Sequence, residues 1–105
     1  PGDPMHFLLL YEFVPDYLER RQPLRATHLA LAWAAHDRGD LVLAGAFADE
    51  PAGSALLFTG DTPEVAERFA RVDPYVTAGL VLRWQVRPWT TTVGATAAAP
   101  VRPGA

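Results

Sequence analysis

A chain of 105 residues, half of them hydrophobic and a fifth charged, fits a single domain with one core and is too apolar for a disordered segment. Its formal net charge of −3 supplies no broad positive field, which argues against a nucleic-acid partner. Cysteine is absent, which removes disulfides, thiolate catalysis and thiolate metal sites and permits a cytoplasmic setting.

Residues 1–4, ahead of Met5, read as an appended remnant, and residues 5–89 as the domain. The apolar run over residues 7–11 is too short to span a bilayer and follows no basic leader, so no membrane partner is expected. Residues 7–14 are rich in large apolar and aromatic side chains and stop at Pro15, the pattern of a buried first strand. A polar connection holding Pro15, Asp16 and Pro23 leads into residues 24–38. There Leu24, His28, Leu31 and Ala35 share a helical stripe, and Gly39 takes the usual C-terminal position. Residues 41–47 form a second strand, and the loop over 48–53, with Pro51 and Gly53, turns into a third over 54–59.

Asp61 or Thr62 caps the next helix, with Pro63 in its first turn and Glu64 completing a capping box if Asp61 is the cap. Val65, Phe69 and Val72 mark its buried face. Asp73 closes it, because Pro74 disfavours helical backbone in the residue before it. Residues 81–88 alternate as a fourth strand, with Leu82, Trp84 and Val86 on one side and Val81, Arg83, Gln85 and Arg87 on the other. Residues 90–105, rich in Thr, Ala and Pro and without periodicity, read as a flexible tail. The order βαββαβ with right-handed crossovers predicts a ferredoxin-like α+β sandwich, a four-stranded antiparallel sheet with both helices on one face.

Two helices cover one face only, yet the first strand is apolar at both parities: Phe7, Leu9, Tyr11 and Phe13 against Leu8, Leu10 and Val14. A monomer would leave a large apolar patch in water, so a homodimer with sheets packed face to face is expected. The alternative is a monomer whose tail folds over the sheet.

His28 falls in an otherwise apolar stripe, which turns its imidazole toward the sheet and suits it to act as a general base. Asp73 is the carboxylate best placed to orient it. The competing readings are a core histidine bonded to a backbone carbonyl and an aspartate that merely ends a helix. In this topology the two helices are expected to run roughly parallel, so His28 near the start of one and Asp73 at the end of the other need not meet within one subunit, and contact would need the partner chain or an inward-bent loop. Arg25 is a candidate for a substrate carboxylate or a solvated surface cation. Tyr75 is either a donor to an oxyanion or a packed anchor, and Trp84 and Trp89 either line an aromatic pocket or serve packing. His6 and His36 look incidental, with His36 directed away from His28. No metal-ligand spacing, phosphate loop or nucleophile elbow is present, so neither metal nor cofactor is expected.

Arg25-x-x-His28-Leu29, Leu43-Ala44-Gly45, Asp73-Pro74-Tyr75-Val76 with Ala78-Gly79, and Arg87-Pro88-Trp89 together closely resemble the YciI-like (YCII-related) family. The resemblance runs from Met5 to about Trp89, and Asp-Pro-Tyr with the following Ala-Gly is its most specific element. It implies a ferredoxin-like fold, a dimeric α/β barrel, and an active site centred on a histidine and an aspartate, here His28 and Asp73. Ala46 stands where the family commonly has proline, so a different pocket wall is expected there. Within the resemblance, one relative dechlorinates a hydroxylated aromatic intermediate, and similar barrels isomerise lactones or oxidise aromatics without a cofactor. Two functions fit these residues. One is a cofactor-independent enzyme of lyase, isomerase or dehalogenase type that transfers a proton on a small hydrophobic or aromatic metabolite. The other is a non-catalytic dimeric module that binds a small molecule.

Overall fold

The computed structural model describes residues 5–49 and 52–104. The remnant assigned to residues 1–4, Pro51 of the hairpin loop and the last residue of the tail lie outside the described residues. Strands β1 (Met5–Phe13), β2 (Leu41–Ala46), β3 (Gly53–Gly60) and β4 (Val81–Trp89) form one sheet in the order β2-β3-β1-β4. Every neighbouring pair is antiparallel. Helices α2 (Arg25–Asp37) and α3 (Glu64–Val72) make the two crossovers. Two short helical segments, α1 (Tyr17–Arg20) and α4 (Pro74–Thr77), flank them. The result is the predicted βαββαβ sandwich.

Alternation along β1 sorts its side chains by face. Phe7, Leu9, Tyr11 and Phe13 are buried, and with Leu41, Leu56 and Phe58 they meet Ala32 and Ala35 of α2 and Ala66, Phe69 and Ala70 of α3. The alanines let both helices lie close on the sheet. They also correct the expected face of α3, since Val72 is 60% exposed and Ala66 and Ala70 take the inward positions beside Phe69. No side chain caps α3 in the box geometry; the Thr62 hydroxyl instead accepts the Glu64 amide at 3.3 Å. In β4 the alternation slips: Glu12 pairs with Arg83 and Phe13 with Val81. Leu82 is therefore the extra residue of a bulge and is exposed, not aligned with Trp84 and Val86 as expected.

Because β1 and β3 are antiparallel, the helices that return from them also run in opposite directions. The parallel arrangement expected from sequence is thereby overturned. The start of α2, the end of α3 and the C-terminal end of β1 all lie at one end of the sheet. Gly53 keeps β3 pressed against β1 there, since a Cβ at this position would sit 2.5 Å from the Tyr11 carbonyl oxygen.

On the other face Leu8, Leu10 and Leu57 are partly buried and Leu43 is 74% exposed. Residues 90–104 contain no helix or strand, but they are tied down at one end of this face. Thr91 Oγ1 hydrogen-bonds to His6 Nδ1 and accepts the Ala98 amide at 2.8 Å. The Ala99 and Val101 amides donate to the carbonyls of Thr91 and Thr92, each at 2.9 Å. Among the described residues no helix is long and apolar enough to cross a membrane.

Candidate active site

The chain leaves α3 at Asp73 with extended backbone (φ −66°, ψ 123°) and re-enters a helical turn at Pro74. Pro74 enforces this break, and the Asp73 carboxylate then acts as N-cap of α4 by accepting the Tyr75 amide at 3.1 Å. Gly79, with φ of +82°, ends the segment in a conformation that side-chain-bearing residues rarely adopt and delivers the chain to β4. The Asp-Pro-Tyr…Ala-Gly motif is therefore a device for turning one carboxylate inward.

That carboxylate is fully buried, and three donors converge on it. His28 Nδ1 lies 2.8 Å from Oδ1, and the Tyr11 hydroxyl donates to Oδ2 at 2.8 Å, besides the Tyr75 amide. The meeting of His28 and Asp73 occurs within one chain, because the antiparallel helices bring the start of α2 to the end of α3. A carboxylate can only accept, so the His28 proton sits on Nδ1 and Nε2 carries the lone pair. Among the described residues Nε2 has no protein hydrogen-bond partner. The imidazole is stacked on the Tyr75 ring, centroids 3.8 Å apart and planes 7° apart, with Phe69 edge-on. Its position is thus fixed by a carboxylate on one edge and an aromatic face on one side.

Burial pushes the Tyr11 phenol far above the ordinary tyrosine range, and the adjacent Asp73 charge and hydrogen bond push it the same way. Tyr11 therefore remains a donor across the working pH range. Tyr75 is also raised by burial and by neighbouring Tyr17, with Arg25 and Arg21 pulling the other way. The Arg25 guanidinium lies beside its buried hydroxyl, but among the described residues no group meets that hydroxyl in good hydrogen-bond geometry.

Between α2 and the β2–β3 side of the sheet lies a cavity of about 410 Å³. His28, Tyr75, Arg21 and Arg25 supply polar groups to its lining; Phe13, Leu29, Trp33 and Leu56 are among its apolar walls. Ala46, at the position where proline was the expected family residue, is part of the lining. Of the residues singled out in sequence, His28, Tyr75 and Arg25 line this cavity and Asp73 sits behind them. Trp84 pairs with Tyr11 and packs partly buried against the core, while Trp89 pairs with His6 near the opposite end of β1. Neither tryptophan lines the cavity.

Four contributors are not evident from sequence. Tyr11 reads as plain core until one asks which acceptor serves a buried phenol. Arg21 and Tyr17 lie in what reads as a polar connection but folds as α1 and a 3-10 turn over Gln22–Leu24. His36 lines the same cavity as His28, not a different surface, and its Nδ1 donates to the Leu41 carbonyl at 2.9 Å. Among the described residues no group of three His, Asp or Glu side chains is arranged to hold a metal ion.

Residues 5–90 match the family model of the YCII-related domain, and the chain belongs to that family. It is 34% identical over 94 residues to Protein YciI of Escherichia coli O6:H1, a match covering 81% of this chain and 96% of the relative. The YciI protein of Shigella flexneri matches to the same extent. Among solved structures it is similar to the 5-chloro-2-hydroxyhydroquinone dehydrochlorinase of Burkholderia phenoliruptrix in complex with 2,5-dihydroxybenzoquinone. The TM-score is 0.71 at 24% identity, over 83% of this chain and 95% of that one. A NIPSNAP family protein of Agrobacterium tumefaciens superposes with a TM-score of 0.56 at 15% identity, over 85% and 93% of the two chains. At these identities the likeness establishes the fold, the ferredoxin-like arrangement of the dimeric α/β barrels.

Proposed function

We propose that this YCII-related protein is a cofactor-independent enzyme in which His28 transfers a proton on a small hydrophobic or aromatic metabolite. The observation that carries the reading is the His28 Nδ1 bond to Asp73 at 2.8 Å, which leaves Nε2 unpartnered beside a cavity of about 410 Å³. Nε2 takes a proton from a C–H or O–H of the ligand. The resulting imidazolium keeps its Nδ1–H on the Asp73 carboxylate, which stabilises the charge. The electron pair left on the ligand forms an enolate or phenolate, and the Tyr75 hydroxyl, without a protein partner, is a donor for that oxygen. Return of the proton to another atom gives an isomerase; departure of a halide or other leaving group gives a lyase or dehalogenase. The shared fold of a dehydrochlorinase crystallised with 2,5-dihydroxybenzoquinone supports a planar ring as ligand. In this reading the protein is a cytoplasmic homodimer, its open sheet face covered by a second copy.

The test is proton exchange. Hydroxylated and halogenated aromatics and enolisable acids are incubated with the protein in D₂O and followed by proton NMR and halide release. At least one compound should exchange or turn over, and His28→Gln should slow it by roughly 10²- to 10⁴-fold. Compounds that bind beside His28 while none exchanges or reacts would leave the protein a binding module.

A further inference from the structure

Arg21 and Arg25 are four positions apart across the 3-10 turn that precedes α2, and both line the cavity. The positive charge of both bears on the Tyr75 phenol. Ion pairs elsewhere join Arg20 to Asp16, Arg38 to Asp40 and Arg83 to Glu12, but among the described residues neither Arg21 nor Arg25 meets a carboxylate. The nearest acid of the site, Asp73, is committed to His28, Tyr11 and the Tyr75 amide. A chain of net charge −3 thus leaves two cations unneutralised at one cavity wall.

Arg21 is held in place: Nη1 donates to the Tyr17 hydroxyl at 2.9 Å, and the guanidinium lies over the Tyr17 ring, 5.2 Å from its centroid. Arg25 opens α2, where the aligned peptide dipoles add to the pull on an anion. The second sign of a missing ligand is the Tyr75 hydroxyl. Tyr75 is 2% exposed and lines the cavity; the Arg25 guanidinium lies beside its hydroxyl, yet among the described residues no group meets that hydroxyl in good hydrogen-bond geometry, a costly state for a buried polar group unless a ligand completes it. Along α2, Leu29 and Trp33 follow Arg25 at four-residue spacing, apolar and exposed around the mouth. They offer flat hydrophobic contact and no further charge.

We infer that the cavity takes a carboxylate-bearing aromatic or enol ligand, its carboxylate held by Arg21 and Arg25, a ring oxygen on the Tyr75 hydroxyl, and its ring against Trp33 and Leu29. This rests on the reading of the cavity as the reactive site, and it narrows the substrate class to ring acids. Guanidinium groups suit this task because their paired donors match the two oxygens of a carboxylate.

Binding, not turnover, tests it. The probes are 2-hydroxybenzoate and its neutral isostere 2-hydroxybenzamide, titrated by calorimetry into the wild type, Arg21→Gln, Arg25→Gln and the double variant. The acid should bind the wild type about tenfold or more tightly than the amide, and the preference should fall to about threefold or less in the double variant. Added salt should weaken the acid and leave the amide unchanged. Tyr75→Phe should weaken both probes, since each carries the ring hydroxyl. Equal affinities in the wild type, a preference that survives the double variant, or no binding of either probe overturns the inference. A protein that prefers the acid but exchanges no protons loses the catalytic reading and keeps this one; exchange on neutral ligands with no preference for acids does the reverse.

Discussion

On the helix-covered face of the sheet Phe7, Leu9, Tyr11 and Phe13 are all buried, whereas Leu8 and Leu10, set between them in the same strand, remain partly open to water. The covered face is completed within one chain, down to a polar network in which every partner of Asp73 comes from a different place: β1, α2 and the first turn of α4. The opposite face has apolar residues of similar size, and Leu8, Leu10 and Leu57 stay partly open; among the described residues the tail is tied to His6 and borders Thr59 and Val42. One strand therefore serves an internal site with one parity and an unfinished surface with the other. The Asp73 carboxylate is tolerated on the first because three donors meet it, whereas large apolar groups partly open to water mark the second as a surface that a further layer would stabilise.

Removing the centre of the internal network has the largest expected effect. Asp73→Ala strands the Tyr11 hydroxyl, the Tyr75 amide and the His28 Nδ1–H in a dry environment, each at about 1–3 kcal/mol. Urea unfolding should show a loss of about 3 kcal/mol or more, and proton exchange on any ligand should disappear. Asp73→Asn keeps the volume and one acceptor, so it should cost less stability while still spoiling exchange, because a neutral amide cannot stabilise the imidazolium. A loss below about 1 kcal/mol in Asp73→Ala would mean that water readily replaces the carboxylate and that the network is not the rigid unit described.

The open face gives the next largest effect. Leu57 pairs with both Leu8 and Leu43, so Leu57→Glu puts a charge at the centre of the patch without touching the core. If a second copy covers this face, the substitution should weaken association roughly a hundredfold or more and halve the mass seen by sedimentation, while circular dichroism stays that of a folded domain. An unchanged mass would leave this face without a self-partner.

How far these two faces were legible in sequence differs for a physical reason. Strand parity, the break at Pro74 and the apolar excess of β1 are local properties, and the element order and the two-sided strand follow from them. The candidate site was legible only where a motif fixes local backbone: Asp73 and Tyr75 through the Asp-Pro-Tyr turn, His28 through the helix stripe. What failed needed three-dimensional information. The relative direction of the helices depends on the antiparallel pairing of β1 with β3, and a wrong assumption there made His28 and Asp73 look separable. Chemistry alone suits Trp84 and Trp89 to an aromatic pocket, but the register of β4 places one beside Tyr11 and the other beside His6. Arg21 was hidden in a segment whose helical turn is too short to show periodicity.

A subtler substitution isolates one hydrogen bond of the covered face. Tyr11→Phe keeps the ring and removes only the donor to Asp73 Oδ2, at a cost of about 1–2 kcal/mol near neutral pH. The sign of its pH dependence follows from the raised phenol. In the unfolded chain Tyr11 ionises near its ordinary value of 10.0, whereas in the fold burial and the Asp73 charge keep it protonated well above that. The stability tied to the protonated phenol is complete below pH 10 and is lost as the pH rises beyond it, by about 1.4 kcal/mol per pH unit for one proton. Tyr75, raised in the same direction, contributes a decline of its own that the variant retains. Urea unfolding between pH 8 and about pH 11 should therefore show the wild type falling more steeply than Tyr11→Phe, so that its advantage shrinks and then vanishes. Parallel curves would mean that the Tyr11 hydroxyl reaches water on the native fold, and that the covered face is no better sealed than the open one.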